Sequence, residues 1–250
     1  MKTRKDYIEQ NLSRLKNMIL ENVNFSVIKI GDGEIDCMQN KEGGNIDMHP
    51  YSNELGKKLI DSFIQLVNKK CFICDWFYSN PPINSRDEGN LNWYENFIMS
   101  NDMQGLNSPI FIQPFELLML GWGNVELPDL FNFYKTIKDS GRNKIYVGPE
   151  RLSGLSELLN LNYYIKIPLI NAFSEHDKIV NSIKNVIVDD SIIMLSVGLQ
   201  SPSISASLLE FNQNITILDI GSGFDPLYFA QTWGRAQASV YEAKKYFENL

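Results

Sequence analysis

Apolar positions along this chain fall into two alternating rhythms. Tyr7, Ile8, Leu12, Leu15, Met18 and Ile19 form a stripe at helical spacing, which predicts an amphipathic helix over residues 4–20. Phe25, Val27, Ile28 and Ile30 follow as a short β-branched run, which predicts a buried strand. Residues 39–50 are polar and contain glycine, so a loop is expected there. Leu55, Leu59, Phe63 and Val67 predict a helix over 52–68, and the run from Cys71 to Asp75 predicts a second strand. Residues 76–90 hold aromatic residues, a Pro-Pro pair and Arg86, the content of an irregular substrate-facing loop. Beyond it, helices are expected near 91–100 and over 127–139, 151–159, 173–185, 203–211 and 235–248. Strands are expected near 109–113 and over 144–147, 163–167, 191–196 and 215–220. This alternation predicts an α/β fold, with a Rossmann-like, mainly parallel sheet, helices on both faces and right-handed crossovers. Internal repeats, low-complexity tracts and long linkers are absent from the sequence, so residues 1–250 read as a single domain.

Composition narrows the function classes. Hydrophobic residues make up 44% of the chain and charged residues 21%, as in a soluble globular protein. A net charge of −7 argues against a general nucleic-acid binder. Apolar runs fall short of the roughly 20 residues that span a bilayer. The N-terminal segment also lacks the apolar centre of a signal peptide, so a cytoplasmic location is expected. A homo-oligomer is compatible with all of this. Cys37, Cys71 and Cys74 do not make a disulfide framework. Cys71 and Cys74 have redox or zinc spacing but lie inside an apolar run, so buried strand cysteines are the expectation.

The chemistry concentrates where strands end. Gly31-Asp32-Gly33-Glu34 closes the first strand. Its glycines allow a sharp turn and a close approach of ligand to backbone. Asp32 and Glu34 then stand at the carboxyl end of the strand, where open α/β sheets bind ligands. Two carboxylates suit Mn²⁺ or Mg²⁺, and such a cation usually carries a phosphate. The plain alternative is an ordinary Asp-Gly turn. Gly198, Ser201 and Pro202 lie between a strand and a helix. They fit either a phosphate-binding helix start or a routine cap made by Ser201. Glu175 and His176 are candidate general bases, and Ser174 is a candidate cap. Arg151 fits a phosphate partner or a surface ion pair.

Leu218-Asp219-Ile220-Gly221-Ser222-Gly223 resembles the glycine-rich first motif of methyltransferases that bind S-adenosylmethionine. Only 27 residues follow Gly223, too few to complete that domain. Asp225, in the same loop, is a candidate for a substrate hydroxyl or for the shell of a metal.

Taken in order, several segments resemble the GT-D glycosyltransferases, a family first catalogued as a domain of unknown function and linked to glycosylation of bacterial adhesins. Val27 to Glu34 is similar to a family segment in which a strand ends on Arg-Phe-Gly-Asp-Gly-Glu. Asn171-Ala172-Phe173, Met194 to Gly198 and Leu218 to Gly221 are similar to later segments. Lys29 stands where the family has Arg, and Leu199-Gln200-Ser201-Pro202 replaces its Pro-Thr-Ala turn. The resemblance implies sugar transfer from a nucleotide sugar, a uridine diphosphate sugar first, to a glycan or glycoprotein acceptor. It implies a metal held by Asp32 and Glu34. Glu34, Glu175 or His176 would serve in catalysis, and Gly31, Gly33, Gly198, Ser201, Asp219 and Asp225 would contact the donor. An S-adenosylmethionine methyltransferase and a non-catalytic nucleotide-binding module are the rival readings.

Overall fold

The computed structural model describes residues 4–39, 45–46, 49–69, 71–75, 85–101, 115, 127–225 and 250. Six strands form one sheet: β1 (Ser26–Ile30), β4 (Phe72–Asp75), β5 (Lys144–Pro149), β6 (Tyr163–Ile167), β7 (Ile192–Leu195) and β8 (Thr216–Asp219). Their order is β4-β1-β8-β7-β5-β6. Every pairing in this sheet is parallel. Two short strands, β2 (Asn45–Ile46) and β3 (His49–Pro50), pair antiparallel within the segment expected to be a loop. The helices are α1 (Arg4–Leu20), α2 (Asp32–Met38), α3 (Asn53–Asn68), α4 (Ser85–Ser100), α5 (Leu127–Asp139), α6 (Leu155–Leu158), α7 (His176–Lys184) and α8 (Ser201–Phe211). None of the described helices is long and apolar enough to cross a membrane.

Strand residues divide by alternation between two cores. Ile28, Ile30, Ile145, Val147, Ile193, Leu195 and Ile217 point to one face, where residues of α2, α3, α4, α7 and α8 cover them. Val27, Tyr146, Ile192, Met194 and Leu218 point to the other face, under α1, α5 and α6. With both faces covered, the strands read as continuous apolar runs rather than as alternating ones. Each fully buried aliphatic side chain contributes about 1.5–3 kcal/mol of transfer free energy, so these layers supply the main driving force for folding.

The connections follow one hand. The crossovers β1 to β4, β6 to β7 and β7 to β8 all move toward the β4 edge, and all use the face of α3, α7 and α8. The crossover β5 to β6 moves the opposite way and uses the α6 face. A single crossover hand requires this correlation. Neighbouring strands β7 and β5 therefore send their chains in opposite directions. Between their carboxyl ends lies a topological switch point, the place where open α/β sheets hold ligands.

At the amino end of the sheet, Arg142 ties four strand entries together. Its Nε donates to the Asp190 carbonyl at 2.7 Å, and its Nη2 donates to Thr216 Oγ1 at 2.8 Å and to Asn24 Oδ1. Burial holds this guanidinium below its usual pKa. The cysteines are free, as expected, and Cys37 and Cys74 are buried. Burial pushes the Cys71 thiol up to about 12, so it carries its proton at neutral pH.

Several boundaries differ from the sequence expectation. The glycine turn after β1 is the first turn of α2, a helix the apolar pattern did not signal. Part of the segment expected to be irregular is helical, since α4 starts at Ser85. The helix expected over 151–159 is a 3₁₀ turn, Glu150–Leu152, followed by the single turn α6. The strand expected near 109–113 and the helix over 235–248 lie outside the described residues.

Gly56 shows how closely α2 and α3 pack, because a Cβ there would sit 2.5 Å from the Cys37 carbonyl oxygen. Alanine normally gains about 1 kcal/mol over glycine inside a helix. Here it meets backbone that cannot swing away, and the overpacking cost dominates. Gly56→Ala should destabilise the fold by about 1–2 kcal/mol, read as a lower urea midpoint. Gly89→Ala, in α4 with nothing within 4 Å of its Cβ, should raise the midpoint instead.

Candidate functional site

Four neighbouring strands, β1, β8, β7 and β5, deliver their carboxyl ends to one edge, and each brings polar residues with it. At β1, Gly31 is the N-cap of α2 and Asp32 is its first residue. Glu34 sits at the third helical position and turns back, so the Gly31 N–H donates to its Oε2 at 2.7 Å. This is the carboxylate half of a capping box; glycine has no side chain to supply the other half. Gly31 and Gly33 are buried and Asp32 is half-buried. Gly31 adopts φ −100°, so the turn does not demand glycine for its backbone angle.

Glu34 is only 5% exposed. Burial raises its pKa to about 7; Lys29 opposes that rise and nearby Asp219 adds to it. Asp219, at the end of β8, is also buried. Its Oδ2 accepts from the Lys29 N–H at 3.1 Å. Register between β1 and β8 stops at Val27 and Leu218, so a side chain continues the strand contact where the backbone ladder ends. Asp36, one turn along α2, is buried too and accepts from Asn90 Nδ2 at 2.9 Å; Gln39 Nε2 donates to Asn90 Oδ1 at 2.7 Å.

At β7 the chain passes through Gly198, which has φ 67° and is exposed. A non-glycine residue would be strained there. Ser201 is not the cap expected from the sequence. Gln200 occupies the N-cap position, Ser201 is the first residue of α8, and no side chain caps this helix. A 3₁₀ turn, Gly198–Gln200, precedes the helix and moves its start upstream of residue 203. Ser196 interacts with the Tyr146 hydroxyl, while Ser201 Oγ and both amide atoms of Gln200 are buried and have no hydrogen-bond partner among the described residues. Such groups carry a desolvation cost of about 1–3 kcal/mol each unless something else pairs them. They line the switch point beside β5. At the end of β5, Arg151 Nη2 donates to Asp225 Oδ2 at 2.9 Å, which makes Arg151 the partner of a buried carboxylate.

His176 lies in a separate pocket on the same edge. Ala172–Glu175 is a 3₁₀ turn and α7 begins at His176, three residues later than expected. Ser174 does not cap α7; its hydroxyl donates to the Asn171 carbonyl at 2.9 Å. Asn171 holds a left-handed φ of 48°, which asparagine tolerates. His176 is buried, and its Nδ1 is 3.0 Å from Lys58 Nζ and 3.0 Å from Asp177 Oδ1. Burial lowers its pKa, so the ring is neutral at pH 7. Nδ1 thus meets a donor in Lys58 and an acceptor in Asp177, and the other ring nitrogen is Nε2. That Nε2 is buried and has no partner among the described residues. Glu175 accepts from Lys178 Nζ at 3.0 Å. The pocket has a volume of about 550 Å³.

The predicted residues thus form three groups: Asp32, Glu34 and Asp219; Gly198 and Ser201 at the switch point, beside the Arg151–Asp225 pair; and Glu175 with His176. The turns Ala172–Glu175 and Gly198–Gln200 touch, which joins the last two groups. Lys58, Ser196 and Gln200 were not singled out from the sequence. Lys58 is one polar residue on the outer side of an amphipathic helix, and nothing in its spacing marks it.

No family model matches the chain, and no curated protein matches it. Solved structures do. A structure of domain of unknown function 1792, described as having a distinct glycosyltransferase fold, aligns with a TM-score of 0.54 and 18% identity over 94% of this chain and 84% of that one. A second, described as a new glycosyltransferase from Streptococcus sanguinis, gives a TM-score of 0.54 and 18% identity over 86% and 82%. A selenomethionine form of domain 1792 gives 0.53 and 18% over 95% and 84%. This chain has the DUF1792 glycosyltransferase fold. The expected GT-D architecture is therefore present, with its parallel sheet and helices on both faces.

Within this glycosyltransferase fold the donor set for a metal is small. No group of three or more His, Cys, Asp or Glu side chains among the described residues is arranged to hold a metal ion. Asp32 and Glu34 offer hard carboxylate oxygens, which fit Mg²⁺ or Mn²⁺ only where phosphate oxygens and water complete the shell.

The buried carboxyl of Glu34 makes a pH prediction. Its pKa is raised from 4.5 to about 7 in the folded state. The folded protein therefore holds a proton that the unfolded chain releases between these values. Its contribution to stability is greatest below pH 4.5 and is lost as pH rises toward 7, with a slope of at most about 1.4 kcal/mol per pH unit. Glu34→Gln keeps an oxygen for the Gly31 N–H and should flatten this slope. Urea denaturation in EDTA from pH 4.5 to 7.5 checks it; equal slopes for both proteins would refute it.

Proposed function

We propose that the protein is a glycosyltransferase that moves a sugar from a nucleotide diphosphate donor, uridine diphosphate first, to a hydroxyl of a glycan or glycoprotein. The observation that carries this reading is the switch-point edge itself. Carboxylates from β1 and β8 stand on the same edge of the sheet as the start of α8, which brings the Gly198 turn and the unpaired buried groups of Gln200 and Ser201. The two halves suit the two parts of a nucleotide diphosphate. The Ser201 N–H is taken by the Gly198 carbonyl and Pro202 has none, so it is the positive end of the α8 dipole that favours phosphate oxygens, and Asp32 with Glu34 suits the cation that phosphates bring. The neighbours' description as glycosyltransferases supports the same reading.

In the transfer, the acceptor oxygen forms a bond to the anomeric carbon while the bond from that carbon to the diphosphate breaks. A bound Mg²⁺ or Mn²⁺, held by Asp32 and Glu34, would neutralise the departing diphosphate. The positive end of the α8 dipole, with the Ser201 hydroxyl beside it, would stabilise the same charge. Glu175 or neutral His176 would take the hydroxyl proton. Asp219 keeps β1 and β8 together under the donor, and Asp225 holds Arg151 beside it.

The methyltransferase alternative loses its main support when its glycines are given structural work. Gly221 has φ 57°, and a Cβ on Gly223 would lie 2.5 Å from the Phe115 carbonyl oxygen. The first is required by the turn and the second by packing.

Thermal unfolding with uridine diphosphate, with and without Mn²⁺, tests the proposal. A ligand that binds only the native state raises the melting temperature, by about 2.7 kcal/mol of stability at a hundredfold excess over Kd. The expected result is a shift that needs Mn²⁺ and disappears in Asp32→Asn, whose unliganded melting temperature stays near that of the parent. A metal-independent shift by S-adenosylmethionine, with none by uridine diphosphate, would overturn it.

A further inference from the structure

We propose that the pocket between the start of α3 and the Asn171–Asp177 segment is a subsite for one neutral sugar ring of the acceptor. The assignment rests on the glycosyltransferase reading above. The pocket, at about 550 Å³, falls within the roughly 300–1,000 Å³ usual for small ligands. Tyr51 and Phe173 line it and offer apolar faces, while Glu54, Glu175 and Asp177 offer carboxylate oxygens. An aromatic face beside hydrogen-bond acceptors matches a sugar ring, which has C–H faces and a rim of hydroxyl donors.

Charge decides against a phosphate here. Lys58 Nζ lies 3.6 Å from Asp177 and also meets His176, and Lys178 pairs with Glu175 at 3.0 Å. Both cations are engaged, Glu54 adds a further negative charge, and His176 is neutral. A net negative lining repels an anion and leaves acceptor oxygens for hydroxyl groups. The cation also sets the histidine. Lys58 Nζ and Asp177 Oδ1 both lie 3.0 Å from Nδ1, which fixes the position of the ring. Lys58 is thus a positioning residue.

Placement supplies the connection to the donor. The turn Ala172–Glu175, which forms one wall, touches the turn Gly198–Gln200 of the switch point. A sugar in this pocket would stand next to the proposed diphosphate position, on the side where Glu175 and His176 approach.

The chain contains two histidines, His49 and His176, so its imidazole NMR signals can be assigned with one variant, His49→Gln. Methyl glycosides of glucose, galactose, N-acetylglucosamine and N-acetylgalactosamine would be titrated into protein labelled with ¹⁵N-histidine. The expected result is a saturable movement of the His176 ring signals by at least one of the four. Phe173→Ala should weaken that binding by about fivefold or more. Glu54→Gln, which removes an acceptor without touching the core, should weaken it in the same direction. Silence of the His176 signals toward all four glycosides overturns the subsite, as does a shift that both variants leave unchanged. The readout needs no donor. A protein that binds uridine diphosphate while His176 stays silent keeps the transferase reading and loses the subsite. A protein that binds the glycosides at His176 and no nucleotide keeps the sugar site and loses the transferase.

Discussion

The burial of negative charge where β1 and β8 end governs the rest of this molecule. Glu34 and Asp219 are both buried and feel one another electrostatically. Buried carboxyl groups are tolerated only when hydrogen bonds replace water. Each takes a backbone N–H that the regular structure leaves free: Gly31 for Glu34 and Lys29 for Asp219. The first bond starts α2 directly at the end of β1, without an intervening loop. The second keeps β8 beside β1 beyond the point where the ladder stops. The start of α2 then sets α3, because Gly56 lets the two helices approach to near contact of backbone. α3 in turn carries Lys58 to His176. A chain of close contacts therefore runs from the β1 carboxylates to the α7 pocket.

Crossover hand explains why the remaining polar groups gather at the same edge. Once the chain has used one face for its moves toward β4 and the other for the move to β6, β5 and β7 must part company at their carboxyl ends. Backbone and side chains there cannot all pair with a neighbouring strand. Gln200 and Ser201 are left buried with unpaired atoms among the described residues. In a stable protein such groups are explained by bound water or by ligand. On the glycosyltransferase reading, the fold keeps them unpaired because the donor pairs them.

The architecture was legible because the strands of a doubly covered parallel sheet are apolar throughout. Runs such as Ile192–Leu195 and Ile215–Ile220 announce themselves without any partner being known. The position of the candidate carboxylates was legible for a related reason, since the apolar run of β1 ends where Gly31 and Asp32 begin. What escaped was set by tertiary contact. α2 is short and begins on glycines, and its buried acids, Glu34 and Asp36, make it look like a loop. Its helical state depends on the Glu34 cap and on Asn90, which lies far along the chain. Ser174 and Ser201 have the composition of caps, yet a 3₁₀ turn shifts each helix start by a few residues and takes the serine out of the capping position. Lys58 could not be found by any local rule, because its role comes from His176, 118 residues away.

The same contacts bear on how the two halves of the edge would work together. α8 packs against α3, α7 and β1 at once. Its first turn faces the switch point, and its body forms the floor shared by α3 and α7, whose starts enclose the His176 pocket. A donor phosphate held at the positive end of α8 would therefore act on a helix already wedged between the walls of the acceptor pocket. Gly198 is exposed, at a backbone angle that other residues resist. Its neighbours Leu199 and Gln200 are buried, so a change at the glycine turn cannot be absorbed by solvent on either side. It must pass into the Ala172–Glu175 turn that it touches. Donor and acceptor positions, on this reading, are coupled through packed backbone rather than through a shared side chain.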